Sequence, residues 1–236
     1  MRYQGGKSRI AKQLANTLTN ISSQRERESN CFVSLLCGSC SVESKVEGFS
    51  RKILNDKHEY LIELLNGVKN GYDLPEHISE EEYKYIREHK DEDKVLTGFV
   101  GFGCSFAGKW FGGYARNKQN HNYCKASKNS LMKKMSTMAD VEFDWRDYKS
   151  LFLKGCLIYC DPPYANTTKY TGVPDFDSEE FWNIMRAWSK DNDVYISEYE
   201  APDDFVSVLE IPTKTNIRDK SDNVCCRVEK LFKYKG

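Results

Sequence analysis

The tetrapeptide Asp161-Pro162-Pro163-Tyr164 directly follows the apolar run Leu157-Ile158-Tyr159-Cys160. Two consecutive prolines cannot continue a sheet ladder, so the chain must leave the strand in a fixed, extended turn. The turn gathers a carboxylate, a backbone carbonyl and an aromatic ring at the C-terminal edge of a strand, where open α/β sheets place their ligands. The same four residues would also serve as an ordinary Pro-Pro turn with a solvent-facing Asp and a packing Tyr, so context must decide. A second cluster opens the chain, Tyr3-Gln4-Gly5-Gly6-Lys7. It lacks the upstream glycine and the spacing of a P-loop. A third, Cys37-Gly38-Ser39-Cys40, has the two-residue spacing of a zinc knuckle or a redox pair. No second such pair exists and neither His58 nor His77 is suitably spaced, so no metal site is expected. The nine cysteines are an odd number, and no apolar stretch follows the N-terminal charges. Reduced thiols in a cytoplasmic protein are the simplest expectation.

Several short segments rich in β-branched and aromatic residues read as buried strands. They are Cys31–Cys37, Lys52–Asn55, Val141–Phe143, Cys156–Cys160, Asp193–Tyr199, Val206–Ile211 and Val228–Tyr234. Helical patterns lie between them. Ile10, Leu14 and Leu18 recur every fourth residue, and Tyr60, Leu61, Leu64, Leu65 and Val68 share another face. Ser79-Glu80-Glu81-Glu82 reads as a capping-box start, and Asp177-Ser178-Glu179-Glu180 starts a further helix with Phe181, Ile184, Met185 and Trp188 as its apolar stripe. Strands alternating with helices at both ends predict an α/β sheet. Residues 67–140 lack strand signals and read as a mostly helical insertion, leaving 1–66 and 141–236 as the sheet domain.

The 236 residues suit one domain with an insertion, and 39% hydrophobic with 13% aromatic residues excludes a disordered chain. No apolar run is long enough to span a membrane. The formal net charge is zero, which taken alone disfavours a nucleic-acid binder. Its distribution reverses that inference. From Tyr72 to Asp93 there are nine acidic and three basic residues, whereas Lys94 to Ala139 holds eight basic residues and no acid. Phe99, Phe102, Phe106, Trp110, Phe111 and Tyr114 are interleaved with those cations. The stretch is expected to face phosphate, although the aromatics would equally suit the core of the insertion and the lysines a solvated surface.

In this order the chain resembles the Dam-type, DPPY-containing DNA adenine N6-methyltransferases, especially short phage and plasmid members. The opening Tyr3-Gln4-Gly5-Gly6-Lys7 is similar to the family's aromatic-x-Gly-Gly-Lys, and the resemblance implies that Tyr3 and Lys7 contact S-adenosylmethionine. Phe32–Val42 resembles the strand and glycine loop around the cofactor's methionine part, implying roles for Ser34, Cys37, Gly38 and Ser39. Asn55-Asp56 matches the pair whose acid binds the ribose, and Asp147-Tyr148 falls where relatives surround the cofactor adenine. Ser197-Glu198-Tyr199 matches a target-base segment. The resemblance implies a Rossmann-like methyltransferase sheet with a DNA-recognition insertion. It also implies a mechanism. Asp161 and the Pro162 carbonyl would draw on the N6 amine of a flipped adenine, Pro163 would fix the turn, Tyr164 would stack on the base, and Asp161 would also touch the cofactor amine. No metal is needed, because a sulfonium is already an activated leaving group.

Double-stranded DNA is the expected partner, with Lys109, Arg116, Asn117, Lys118, Lys125, Lys128 and Tyr199 as contact candidates. The stretch Asn216–Cys225, with Arg218, Lys220 and Asn223, is expected to form a loop near the DNA. A monomer or weak dimer in a bacterial or phage-infected cell is expected, any restriction endonuclease being a separate chain. One departure stands out. Where relatives carry an acid followed by Pro or Leu and Phe, this chain has Ser34-Leu35-Leu36, so weakened cofactor binding is expected unless Glu43 or another acid compensates. That departure keeps open a catalytically weak DNA-binding relative. A methylase of RNA or of a protein amide, which a similar turn can serve, also stays open.

Overall fold

The computed structural model describes residues 1–24, 30–163, 176–218 and 224–236, with the backbone path alone for 214–218 and 224–226. Tyr164, Lys220 and Asn223, and the side chains of Arg218, Cys225 and Cys226, lie outside the described residues. Among those described, β1 (Cys31–Ser34), β2 (Arg51–Asn55), β3 (Val141–Asp144), β4 (Leu157–Cys160), β5 (Asp193–Glu198), β6 (Phe205–Arg218) and β7 (Val224–Tyr234) form one sheet in the order β3-β2-β1-β4-β5-β7-β6. β1 to β5 run parallel, and β7 lies antiparallel between β5 and β6. This is a Rossmann-like, mostly parallel α/β sheet. The chain builds outward from β1 to β3 and then returns to the other side of β1 as β4. That reversal opens a crevice beyond the carboxyl ends of β1 and β4.

Strand residues alternate between two cores, as a sheet covered on both faces requires. Phe32, Leu157 and Tyr159 join the core beneath α1 (Ala11–Ser23), α2 (Glu59–Lys69), α4 (Lys94–Gly103) and α5 (Tyr123–Met135). Val33, Ile158 and Cys160 pack on the other face against Phe181 and Met185 of α6 (Ser178–Trp188). The helix starts follow the sequence. Ser79 Oγ accepts the Glu82 N–H at 3.1 Å while Glu82 Oε2 accepts the Ser79 N–H at 2.6 Å, a complete capping box opening α3 (Glu80–Glu88). Asp177 caps α6 by accepting the Glu180 N–H at 2.9 Å.

Between β2 and β3 the chain carries α2 to α5, and their apolar residues continue the core of the sheet's first face. α4 reads poorly as a helix because glycines interrupt it and almost all of it is buried, leaving no polar stripe. Its glycines have a packing reason. A Cβ on Gly98 would sit 2.0 Å from the Tyr60 carbonyl oxygen of α2, so only glycine lets the two helices approach this closely. β6 and β7, at 14 and 11 residues, are longer than their apolar centres predict. Their outer halves pair with each other, and a two-stranded ribbon needs no apolar alternation there. No described helix is long and apolar enough to cross a membrane.

Candidate active site

At the carboxyl end of β1 the chain turns through Leu35–Cys40. The Leu35 N–H donates to the Tyr159 carbonyl at 3.1 Å, and the Cys37 N–H to the Asn55 carbonyl at 2.9 Å. Gly38 adopts φ +48°, and a Cβ there would press on the Tyr3 ring at 3.0 Å. The N-terminal segment is held from the other side, Gln4 N–H donating to the Gly108 carbonyl at 3.1 Å. Asn55 and Asp56 divide their work. The Asn55 amide donates to the carbonyls of Leu35 and Arg146, both at 3.0 Å, and its oxygen accepts the Arg146 N–H at 3.1 Å. It therefore clips the ends of β1, β2 and β3 together. Asp56 accepts the N–H groups of Gly38 and His58, each at 2.9 Å. Burial raises its pKa, and these N–H donors oppose the rise.

These elements enclose a cavity of about 360 Å³, within the usual range of small-molecule sites. Tyr3, Lys7, Cys37, Gly38, Ser39, Asp56, Asp147, Tyr148, Asp161 and Pro163 all reach its wall, so most residues singled out as cofactor contacts are brought together. Asp147 is paired with Lys57 at 3.0 Å and caps the following turn by accepting the Lys149 N–H at 3.1 Å. Ser34 is an exception. It is fully buried and absent from the wall, and its hydroxyl donates to Glu43 Oε1 at 2.8 Å. The acid lining the cavity at this end of the loop is Glu43.

The wall also contains His58, Phe102 and Trp110, which sequence reasoning did not assign to it, and Glu43, which it named only as an acid that would compensate for Ser34. Phe102 and Trp110 come from the segment expected to face phosphate. They turn inward instead, with ring centroids 4.8 and 4.3 Å from His58. Burial lowers the His58 pKa to about 4, and its Nδ1 has no hydrogen-bond partner among the described residues. A neutral imidazole flanked by two aromatic rings makes a flat apolar wall. The signal was there in Trp110-Phe111 following the glycine-rich α4, since large rings beside glycines tend to fill the space those glycines leave. A Cβ on Gly101 would lie 2.2 Å from the Trp110 ring.

A second cavity, of about 630 Å³, lies alongside and shares Tyr3 to Lys7 and Asp161 with the first. Pro162, Tyr199 and Glu229 complete much of it. Lys7 Nζ stands 3.2 Å from Asp161 Oδ1 and 3.5 Å from Glu229 Oε1. Burial is the largest influence on Lys7 and works against its charge, but Asp161 and then Glu229 outweigh it, so the ammonium is held above its ordinary pKa. Glu198, at the end of β5, is pushed up to about 7 chiefly by burial. Tyr159 shares a hydrogen bond with Ser197 at 3.0 Å below this cluster. Glu229 could have been found from its phase, two residues before the buried Leu231 on β7.

Much of the basic stretch is paired within the protein. Arg116 pairs with Glu80 at 3.0 Å, Lys125 with Glu76 at 2.8 Å, Lys128 with Asp73 at 2.9 Å and Lys94 with Glu59 at 2.5 Å. Three of those acids belong to the acidic run just before it. Lys134 is half-buried under the glycine loop, donating to the Ser39 carbonyl at 2.5 Å and to Ser41 Oγ at 3.0 Å. Asn117 orders its own turn, accepting the His121 N–H at 2.9 Å. Lys109, Lys118 and Lys133 are exposed and make no ion pair among the described residues. Among those residues no group of three or more His, Cys, Asp or Glu is placed to hold a metal ion.

No curated protein matches the chain in sequence. Among solved structures it is similar to a protein from Pyrococcus horikoshii provisionally designated an RNA methyltransferase, with 9% identity and TM-score 0.44 over 95% of this chain and 81% of that one. It is also similar to the rRNA methyltransferase AviRa from Streptomyces viridochromogenes, with 9% identity and TM-score 0.43 over 98% of this chain and 86% of that one. Likeness at that level says nothing about substrate. Residues 3–99, which hold the Gly-Gly-Lys opening, the glycine loop and the Asn-Asp pair, match the family model for D12 class N6 adenine-specific DNA methyltransferases.

Proposed function

We propose that this methyltransferase transfers the methyl group of S-adenosylmethionine to N6 of an adenine flipped out of duplex DNA. The observation that carries the reading is the pair of adjoining cavities whose common wall contains Lys7 and Asp161. The first cavity fits the cofactor. Asp56 sits at the end of β2, where a carboxylate can bind a ribose diol, Gly38 leaves room that a Cβ would fill, and Tyr148 and His58 offer flat faces to a purine. When bound, S-adenosylmethionine supplies a methyl group on a positively charged sulfur. The second cavity takes the base. Asp161 and the Pro162 carbonyl accept the two N6–H bonds, which concentrates lone-pair density on a nitrogen otherwise conjugated into the ring. Tyr164 stacks on the purine, a contact worth about 1–3 kcal/mol, which offsets part of the few kcal/mol spent on flipping.

Residues 67–140 serve as the target-recognition region in this reading, with Lys109, Lys118 and Lys133 as the first cations to meet phosphate. Arg116, Lys125 and Lys128 exchange carboxylate partners for phosphates, because exposed ion pairs are worth only about 0–1 kcal/mol. The deciding experiment is tritiated methyl transfer to duplex DNA, single-stranded DNA and RNA. Label is expected in duplex DNA as N6-methyladenine; label confined to RNA, or to protein, would overturn the substrate. Sequencing N6-methyladenine after expression in a methylation-free host gives the target site.

A further inference from the structure

The β1 strand ends at Ser34, a short hydroxyl side chain, and the loop returns nine residues later with Glu43 on the 3₁₀ turn Glu43–Lys45. Glu43 is 3% exposed, lines the first cavity, and accepts a hydrogen bond from Ser34 Oγ at 2.8 Å. Among the described residues no cation stands within ion-pair distance of it; the nearest candidate, Lys134, spends its ammonium on Ser39 and Ser41. A carboxylate buried this deeply with only neutral donors, its own backbone N–H and the Ser34 hydroxyl, is costly unless a positive charge joins it. Asp161 acts on it electrostatically and Tyr159 is influenced by both acids, so this end of the cavity is acidic, away from the Asp56 end. The cofactor assigned above carries one group that answers an acidic end and can approach a carboxylate, the ammonium of its amino-acid tail.

We propose that Glu43, positioned by Ser34, is the carboxylate that receives this ammonium, so the charge absent from position 34 is supplied from position 43. The inference rests on the cofactor reading above. It changes what the Ser34 departure means. The loop has not lost its acid; the acid approaches from the returning arm of the same loop, and Ser34 is retained as its hydrogen-bond donor. Four titratable groups face Glu43, namely Asp161, Lys134, Tyr159 and Cys37. Tyr159 and Cys37 are raised by burial, and Lys134 is lowered by burial with its charge favouring an ionised Glu43. Glu43 itself is pushed up to about 7, chiefly by burial. Its ionisation therefore falls within an accessible range, and ligands bearing an ammonium should bind less well as pH drops through 7.

The test is calorimetric binding of two nucleosides at pH 6 and pH 8.5. S-adenosylhomocysteine keeps the ammonium, and 5′-methylthioadenosine lacks the whole amino-acid tail. Glu43→Gln is expected to weaken S-adenosylhomocysteine roughly ten- to a hundredfold at pH 8.5, the effect of losing a charged hydrogen bond. It should also flatten the pH dependence and leave 5′-methylthioadenosine unchanged. The double variant Ser34→Glu/Glu43→Gln, which moves the carboxylate across the same hydrogen bond, should recover part of the loss. Equal weakening of both nucleosides would reduce Glu43 to a structural residue, and unchanged S-adenosylhomocysteine binding by Glu43→Gln would remove it altogether. Wild-type protein that binds neither nucleoside would overturn the proposed function itself, and Glu43's role with it.

Discussion

The charges of the insertion and those of the crevice obey different rules. On the insertion, Asp73, Glu76 and Glu80 meet Lys128, Lys125 and Arg116 at 2.8–3.0 Å on the protein surface. Water and salt already screen such pairs, so making or breaking them changes little. In the crevice, Glu43, Glu198, Asp56 and Glu229 are all under 9% exposed, and Lys7 is the ammonium set between Asp161 and Glu229. There, desolvation dominates, and the carboxyl groups of Glu43, Glu198 and Asp56 rise toward neutrality. A surface that exchanges partners cheaply suits a polyanion that must slide and release. A buried excess of acid suits a ligand that brings its own positive charge. Breaking either set should therefore give effects of very different size.

The largest effect is expected at Asp161. Asp161→Ala removes the carboxylate common to both cavities and should lower methyl transfer by at least about 100- to 1,000-fold, the scale of losing one aimed polar group in a closed site. Single-turnover transfer, with thermal unfolding as a fold control, measures it. Activity within tenfold of wild type would take Asp161 out of the base-binding role.

Next comes the pH dependence of stability. Glu43 and Glu198 both have folded-state pKa values raised from 4.5 to about 7 by burial. A raised carboxyl binds its proton more tightly when folded, so the stability it contributes is complete below about 4.5 and is lost as pH rises through 7. For Glu43 this amounts to something on the order of 3 kcal/mol. His58, lowered to about 4, acts in the opposite direction below 6.5, so the two trends compete from 4.5 to 6.5 and the carboxyl loss stands alone from 6.5 to 7. Urea unfolding of ligand-free protein should show Glu43→Gln gaining on wild type as pH rises from 5 to 8. A constant difference would show that Glu43 ionises normally.

The strands, the two capped helices and the sheet's two cores were legible because period, caps and alternation are local properties. So was the gathering of Gly38, Asp56, Asp147 and Asp161 at one cavity, since each follows a strand that the parallel order carries to one edge. What the sequence hid depends on contact at a distance. The acid-free stretch reads as a face of unpaired cations until one sees that the acidic run before it folds onto it. Trp110 and Phe102 read equally as phosphate-side or as core aromatics until the glycines of α4 draw them inward. Ser34 reads as a lost charge until Glu43 is found 2.8 Å away. In each case the partner lies on another element or beyond a loop, where no periodicity could report it.

Asp56 comes third. Asp56→Asn keeps the shape but exchanges a charged acceptor for a neutral one. Because the Gly38 and His58 N–H groups point at its two oxygens, the amide must also set its NH2 against one of these donors. S-adenosylhomocysteine affinity should fall by roughly ten- to a hundredfold, and 5′-methylthioadenosine should fall equally, since it retains the ribose. That equal loss separates Asp56 from Glu43. A loss restricted to the longer ligand would mean that the two acids had been assigned to the wrong ends of the cavity.

The smallest effects belong to the surface, and they have a distinctive signature. Replacing Lys109, Lys118 and Lys133 together by Gln should leave folding and cofactor binding untouched while reducing the salt dependence of duplex binding. Each cation that meets a phosphate contributes about 0.9 to the slope of log affinity against log salt, so up to nearly three units should vanish. Glu80→Gln tests the paired cations in the opposite sense. It frees Arg116 from its carboxylate, so duplex affinity should rise slightly, by no more than the 0–1 kcal/mol such a pair is worth. If neither change moves the slope, the DNA passes over another face. The acid-free stretch would then be a surface balanced by its own acidic neighbour, and recognition would have to come from β6, β7 and the segment between them.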